Sequence, residues 1–177
     1  MRDEFPQLQV GESSWSVVLG DGPTSTKDFI LRPEMTAVAV RSARIEDVSE
    51  LARLFEQLGH PQTDAALRAQ LESMLTDARA EVLVAEDSEA LVGTATYFFV
   101  PVAHDDRPWC RITTLVVDEH NRRRGIGRML VEAAESAARA ASCSRIEATS
   151  ALHREDAHRV YERLGYGRTS AHFLKRT

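Results

Sequence analysis

Cysteine is scarce: the 177 residues hold two, Cys110 and Cys143. Neither has a CxxC or Cys/His spacing around it, so neither a disulfide framework nor a zinc site is indicated and a reducing cytoplasm is the expected setting. Histidine is also poorly placed for metal. His153 and His158 frame "HREDAH", and a helix brings two rings onto one face only at i, i+3 or i, i+4, so no metal is expected. Long apolar runs are missing too; none approaches the roughly 18 residues that cross a bilayer, and no membrane partner is expected. The first residues, "MRDEFPQLQVGESSWSVVLG", lack the basic segment and continuous apolar stretch of a secretory signal. Excess positive charge is absent as well: the formal charge is −5 and the pI is near 5.7. Domains that bind nucleic acid usually have a pI above about 9, so no nucleic-acid partner is expected, whereas a negative surplus suits a cationic partner such as a protonated amine.

What is present is a globular composition, 43% hydrophobic. Residues 1–36 mix Gly, Pro, Ser and Thr with scattered apolar residues and show no sustained period; they read as an N-terminal extension, and residues 37–177 read as one compact domain. In that domain "AVAVRSA" predicts a strand and "IEDVSELARLFEQLGH" a helix with Val48, Leu51, Ala52, Phe55 and Leu58 on one face, stopped by Gly59 and Pro61. Thr63 is the expected N-cap of a second helix. "EVLVAED" and "ALVGTATYFFVP" form a predicted hairpin, and "CRITTLVVDEH" a third strand of the same group. A helix follows from Ile126, then a short strand "RIEATSAL", a helix from about Asp156 that Gly165 ends, and a closing strand "GRTSAHFLKR". This order predicts a mixed αβ fold, a twisted sheet with helices packed on it.

The concentration of charge in "HNRRRGIGRML", His120 to Leu130, is out of character for an acidic chain. It lies between a strand and a helix N-terminus. There the first amides lack intrahelical acceptors, the helix dipole is positive, glycines admit a ligand to the backbone, and arginines bond phosphate oxygens. Solvated loop charge is the alternative. A P-loop is excluded, because no GxxxxGK run exists. "GIGRML" carries the first two glycines of a dinucleotide fingerprint, with Leu130 where the third should be and Glu147 about twenty residues on, so an NAD(P)-binding fragment stays open.

"RRRGIG" also resembles the Q/R-x-x-G-x-G/A signature of the Gcn5-related N-acetyltransferase (GNAT) superfamily, with Arg122, Gly125 and Gly127 in the fixed positions. "VRSARIEDV", "VLVAEDSEALVGTA" and "AHRVYERLGY" resemble its opening strand and helix, its second and third strands, and its A-x-x-x-Y-x-x-x-G-F/Y segment, so the likeness runs in order from Ala37 to Arg176. It implies a single domain with a central, mostly antiparallel twisted sheet, splayed strands and helices on both faces. It implies acetyl-CoA as cosubstrate, with pantetheine along Leu115, Val116 and Val117 and the acetyl oxygen on the Val117 N–H. Phosphates would lie on Arg122, Arg123, Arg124, Gly125, Ile126, Gly127 and Arg128.

Tyr161 matches the family's phenolic general acid, although its helix face alone places it in the core. Glu86, at a strand end, is the candidate base; Asp118, Glu119 and His120 beside the glycine loop are further ones. Where many members carry an Asn before the last helix, this chain has Arg154, which is assigned to a coenzyme phosphate. The activity implied is transfer of an acetyl group to a primary amine of a small molecule or peptide by direct attack on the thioester. A noncatalytic acetyl-CoA-binding module is the alternative. Homodimers are common in the family. Acceptor choice would rest on the turn from His60 to Asp64 and on "PVAHDDRPWC", whose Asp105 and Asp106 could attract a cation.

Overall fold

A computed structural model describes residues 38–171 and 173–175. The expected extension, 1–36, therefore lies outside the described residues. Five strands form one sheet in the order β1-β2-β3-β4-β5: β1 (Ala39–Ser42), β2 (Ala80–Asp87), β3 (Ala90–Val100), β4 (Trp109–Val117) and β5 (Arg145–Ala148). The first four are antiparallel neighbours, and β5 joins β4 in parallel. Among the described residues four α-helices complete the fold: α1 (Val48–Gln57), α2 (Asp64–Thr76), α3 (Ile126–Ala140) and α4 (Glu155–Arg163).

Local chemistry sets most of these boundaries. The Thr63 side chain accepts the Ala66 N–H at the start of α2, as its N-cap position requires. Gly59 and Gly165, with φ of +87° and +89°, end α1 and α4 in the left-handed region that glycine tolerates. The β2–β3 hairpin closes on Ser88 and Glu89, both at positive φ.

The two sheet faces bury separate cores. On one face Val48, Leu51 and Leu54 of α1 and Leu67 and Leu71 of α2 pack on Val82, Val84, Leu91 and Val116. On the other, Ile126, Leu130, Val131, Ala134 and Ala138 of α3 and Tyr161 of α4 pack on Leu83, Ala85, Ala95, Tyr97, Cys110 and Ile112. Helices therefore cover both faces.

Strand β4 changes faces midway. Ile112 pairs with Tyr97 and Thr114 with Thr96, so Thr113 is an extra, bulged residue. A one-residue shift inverts the alternation: Cys110 and Ile112 belong to the α3 face before the bulge, and Val116 belongs to the α1/α2 face after it.

One expectation fails. Residues 167–171 and 173–175, read as a closing strand, form no regular element, and those whose burial is described are exposed. The stretch is rich in Gly, Thr and Ser, and without a neighbouring strand to hydrogen-bond it the backbone has no ladder to join.

Candidate active site

β4 and β5 pair from Trp109–Arg145 to Ile112–Ala148, and the last contact between their backbones is Thr149 N–H to the Ile112 carbonyl at 3.4 Å. Beyond it the two chains part, leaving one edge of Thr113–Val117 without a strand. The Asp118 N–H donates to the Val92 carbonyl of β3 at 2.9 Å. By antiparallel alternation Val116 and Thr114 also face β3, so the N–H and C=O groups of Leu115 and Val117 point into the gap. The gap opens into a cleft of about 1310 Å³, bordered by Leu115–Val117, the loop before α3, and α4. That exceeds the roughly 300–1,000 Å³ of common small-ligand pockets and suits an elongated ligand.

The second feature is the bare start of α3. Gly125 is its N-cap at φ +83° and offers no side-chain cap, and the first turn holds no acidic residue. Among the described residues the N–H groups of residues 123–128 have no acceptor, while the Gly125 carbonyl already takes the Met129 N–H. A row of free amides at the positive end of a helix dipole is a site for anions. α2 has Asp64 and the Thr63 cap in this position, and α4 has Glu155 and Asp156.

The candidate coenzyme residues do not all converge. Leu115, Val116, Val117, Arg122, Arg123, Gly125, Ile126, Gly127, Arg128 and Arg154 border the cleft. Arg124 does not: its guanidinium turns to Asn121 and to Asp87 at 2.7 Å, which braces the loop against the β2–β3 turn. Arg128 borders the cleft while paired with Glu132 at 2.8 Å, and Arg154 donates to the Leu58 carbonyl at the end of α1. Gly125 is required for its positive φ. At Gly127 an added Cβ would lie 3.6 Å from Val117, an ordinary contact.

Glu86, the expected base, is elsewhere. It lies in β2, two strands from the gap, with both carboxylate oxygens on Arg41 at 3.0 and 3.1 Å. Arg41 also holds Asp47 at 2.8 Å, and its bonds to Glu86 keep that carboxyl below the usual range, which removes it as a base. Asp118 is consumed as well. Burial alone would raise its pKa, but Gln57, Arg53, Asn121 and the His120 amide all donate to it and hold it well below the carboxylate range. It ties the end of β4 to α1. Asp105 accepts from Trp109 Nε1 at 2.9 Å, Ser144 Oγ at 2.6 Å and the Arg107 N–H at 3.1 Å, anchoring the loop before β4; Asp106 is exposed.

Tyr161 is in the α3-face core, 9% exposed, its ring 5.3 Å from that of Tyr166. It is not among the residues that border the cleft, although Ala157, Val160 and Leu164 beside it on α4 are. Its hydroxyl has no hydrogen-bond partner among the described residues, and burial pushes its pKa up to about 12. Sequence reasoning missed one pair at the fork: Arg111 Nε and Glu147 Oε1 meet at 2.6 Å on the last rung but one before the strands part. The one cue available was their placement opposite the apolar face of "CRI" and "RIEA".

The model of the Acetyltransferase (GNAT) family matches residues 45–166. A solved chain of Agrobacterium tumefaciens str. C58, provisionally assigned as an acetyltransferase, is 28% identical with a TM-score of 0.72, covering 78% of this chain and 99% of that one. The ribosomal-protein-alanine N-acetyltransferase of Brucella melitensis biovar Abortus 2308 has 22% identity and a TM-score of 0.67, over 80% of this chain and 100% of its own. The aminoglycoside N-acetyltransferase AAC(6')-Iy, solved with CoA, has 19% identity and a TM-score of 0.74, over 83% and 99%. The last two likenesses speak to the fold. Among curated proteins none matches. The family match spans more than half of the chain and contains the parted strands and the uncapped glycine loop, and the chain belongs to the GNAT family of acetyltransferases.

Proposed function

We propose that the protein is an acetyl-CoA-dependent N-acetyltransferase acting on a primary amine. The observation that carries this reading is the row of acceptorless amides at residues 123–128, opening onto the same cleft as the unpaired edge of β4. One feature suits a pyrophosphate, the other the amides of a pantetheine arm. Acetyl-CoA supplies an acetyl thioester: the amine nitrogen bonds to its carbonyl carbon as the C–S bond breaks, the nitrogen loses a proton, and the sulfur gains one.

The residues divide this work by position. Amides 123–128, with Arg122, Arg123 and Arg128, hold the phosphates, and Arg154 adds charge from the opposite wall. Because the phosphate loop follows the C-terminal end of β4, an arm running inward meets Val117 first and Leu115 about 7 Å deeper, at the usual strand rise. The acetyl oxygen is therefore assigned to the Leu115 N–H, in place of the Val117 N–H expected from sequence. Tyr161, protonated at neutral pH, returns a proton to the departing sulfur. The proton leaving the amine passes to water in the gap. Two free thiols suit a reducing, cytoplasmic setting.

Thermal unfolding with acetyl-CoA, coenzyme A, NAD and NADP tests the reading. A ligand at about 100 times its Kd stabilises by roughly 2.7 kcal/mol. A domain of this size gains roughly 2–4 °C per kcal/mol, so a rise of about 5–10 °C with acetyl-CoA and none with the nicotinamide cofactors is expected. No rise with acetyl-CoA refutes it.

A further inference from the structure

The ion pair at the fork has no part in holding the coenzyme. Cys110, Ile112, Ile146 and Ala148 all pack on the α3 face, so Arg111 and Glu147, between them in sequence, project from the opposite face. The coenzyme cleft is bordered by the start of α3, by α4 and by Gln57 and Leu58 at the end of α1, and neither Arg111 nor Glu147 lines it, which leaves their side of the fork open to an acceptor.

The pair is joined by Nε alone, at 2.6 Å to Oε1. Both side chains are partly open to solvent, 40% and 30% exposed, and among the described residues Arg111's terminal guanidinium nitrogens and Glu147 Oε2 have no partner. Arg145, on the same face, lies over the Trp109 ring at 3.1 Å and adds a second cation. A purely cationic acceptor would find its ammonium beside these guanidiniums, a repulsive arrangement.

We infer that the acceptor is zwitterionic, an amino-acid-type compound whose ammonium rests on Glu147 and whose nearby carboxylate rests on the terminal nitrogens of Arg111. This names the substrate class for the acetyl-transfer reading and rests on it. Arg111 is a specificity residue, because its spare, forked donors match a carboxylate, and a site built for a charged group rejects the analogue that lacks it. Glu147 holds the amine at the closed end of the gap, on the last rung but one before the bulged Thr113 and the unpaired edge beyond it.

The test is calorimetry on the full chain saturated with coenzyme A, titrated with free amino acids and with their carboxamides, followed by thiol release with acetyl-CoA. The expected result is that the best amino acid binds at least 10-fold tighter than its amide and is acetylated in preference to it. Arg111→Gln should bring the two within about twofold, and Glu147→Gln should weaken both at least 10-fold, with acetyl-CoA affinity unchanged in each variant. Arg111→Met/Glu147→Met removes both charges together, leaving neither buried unpaired. It should fold and bind acetyl-CoA while losing the amino acid. An amide bound as well as its acid, a preference that survives Arg111→Gln, wild-type acceptor affinity in Glu147→Gln or the double variant, or no amino acid bound at all overturns the inference alone. No heat with acetyl-CoA or coenzyme A overturns the acetyl-transfer reading and this inference together.

Discussion

At Tyr161 burial and chemistry act on the same hydroxyl. The ring fills the α3-face core against Tyr166, and burial keeps the phenol protonated far above neutral pH, as an acid must be. Because the hydroxyl has no protein partner among the described residues, Tyr161→Phe should change stability by less than about 1 kcal/mol. Turnover should fall about 10- to 1000-fold at unchanged acetyl-CoA affinity. Thiol-release kinetics beside calorimetry check both halves, and wild-type turnover in the variant removes Tyr161 from the mechanism. The position and the match to the family's phenol were legible in the sequence, but the fate of the carboxylates was not. Glu86 and Asp105 looked free in a one-dimensional reading, and each is consumed by partners that only folding brings close: Arg41 is 45 residues from Glu86, and Ser144 is 39 from Asp105.

Among the elements, α3 and β3 approach each other most critically, at Gly93. A Cβ there would stand 3.1 Å from Ile126 Cγ2 and from the Val116 carbonyl oxygen, and 3.2 Å from Leu130 Cδ1. One neighbour is backbone and the other two are fully buried on α3, so little can yield. Gly93→Ala should cost about 1–3 kcal/mol by overpacking and should loosen the start of α3, weakening acetyl-CoA binding with it. Gly167→Ala, whose Cβ would meet only Thr169 at 3.8 Å, is the control and should stay within about 0.5 kcal/mol. Urea unfolding of the two variants decides; equal midpoints would refute the close approach. The apolar stripe of α3 is readable from its period, since Leu130, Ala134 and Ala138 recur every four residues, and all three are buried. Val131 joined them because the sheet contacts a wider arc than a single stripe. Gly93 was unremarkable in sequence, since a helix crossing leaves no local mark.

For the whole molecule, the buried acids that stay neutral set the alkaline limit. Burial pushes Cys110 up to about 12 from 9.0 and Tyr161 up to about 12 from 10.0, and moves Tyr97 and Tyr166 upward as well. Each group binds its proton more tightly folded than unfolded. Their contribution is therefore complete below the unfolded values and is lost as pH rises from about 9 toward 12. Tyr161 alone accounts for about 2–3 kcal/mol of that loss. Urea midpoints should be flat from pH 7.5 to about 9 and fall steadily above, less steeply in Tyr161→Phe; a flat curve to pH 11 would contradict the burial of these groups. The sequence by itself determined the helices, their caps, the hairpin and the glycine loop, because amphipathic period, capping and positive φ are written into neighbouring residues. Only the tertiary structure decided where β4 and β5 part, that the tail adds no strand in its described residues, which carboxylates are spent in ion pairs, and that Arg111 meets Glu147 at the fork. Those outcomes depend on register and on pairings between distant segments, where one bulged residue such as Thr113 reverses which side chains face the site.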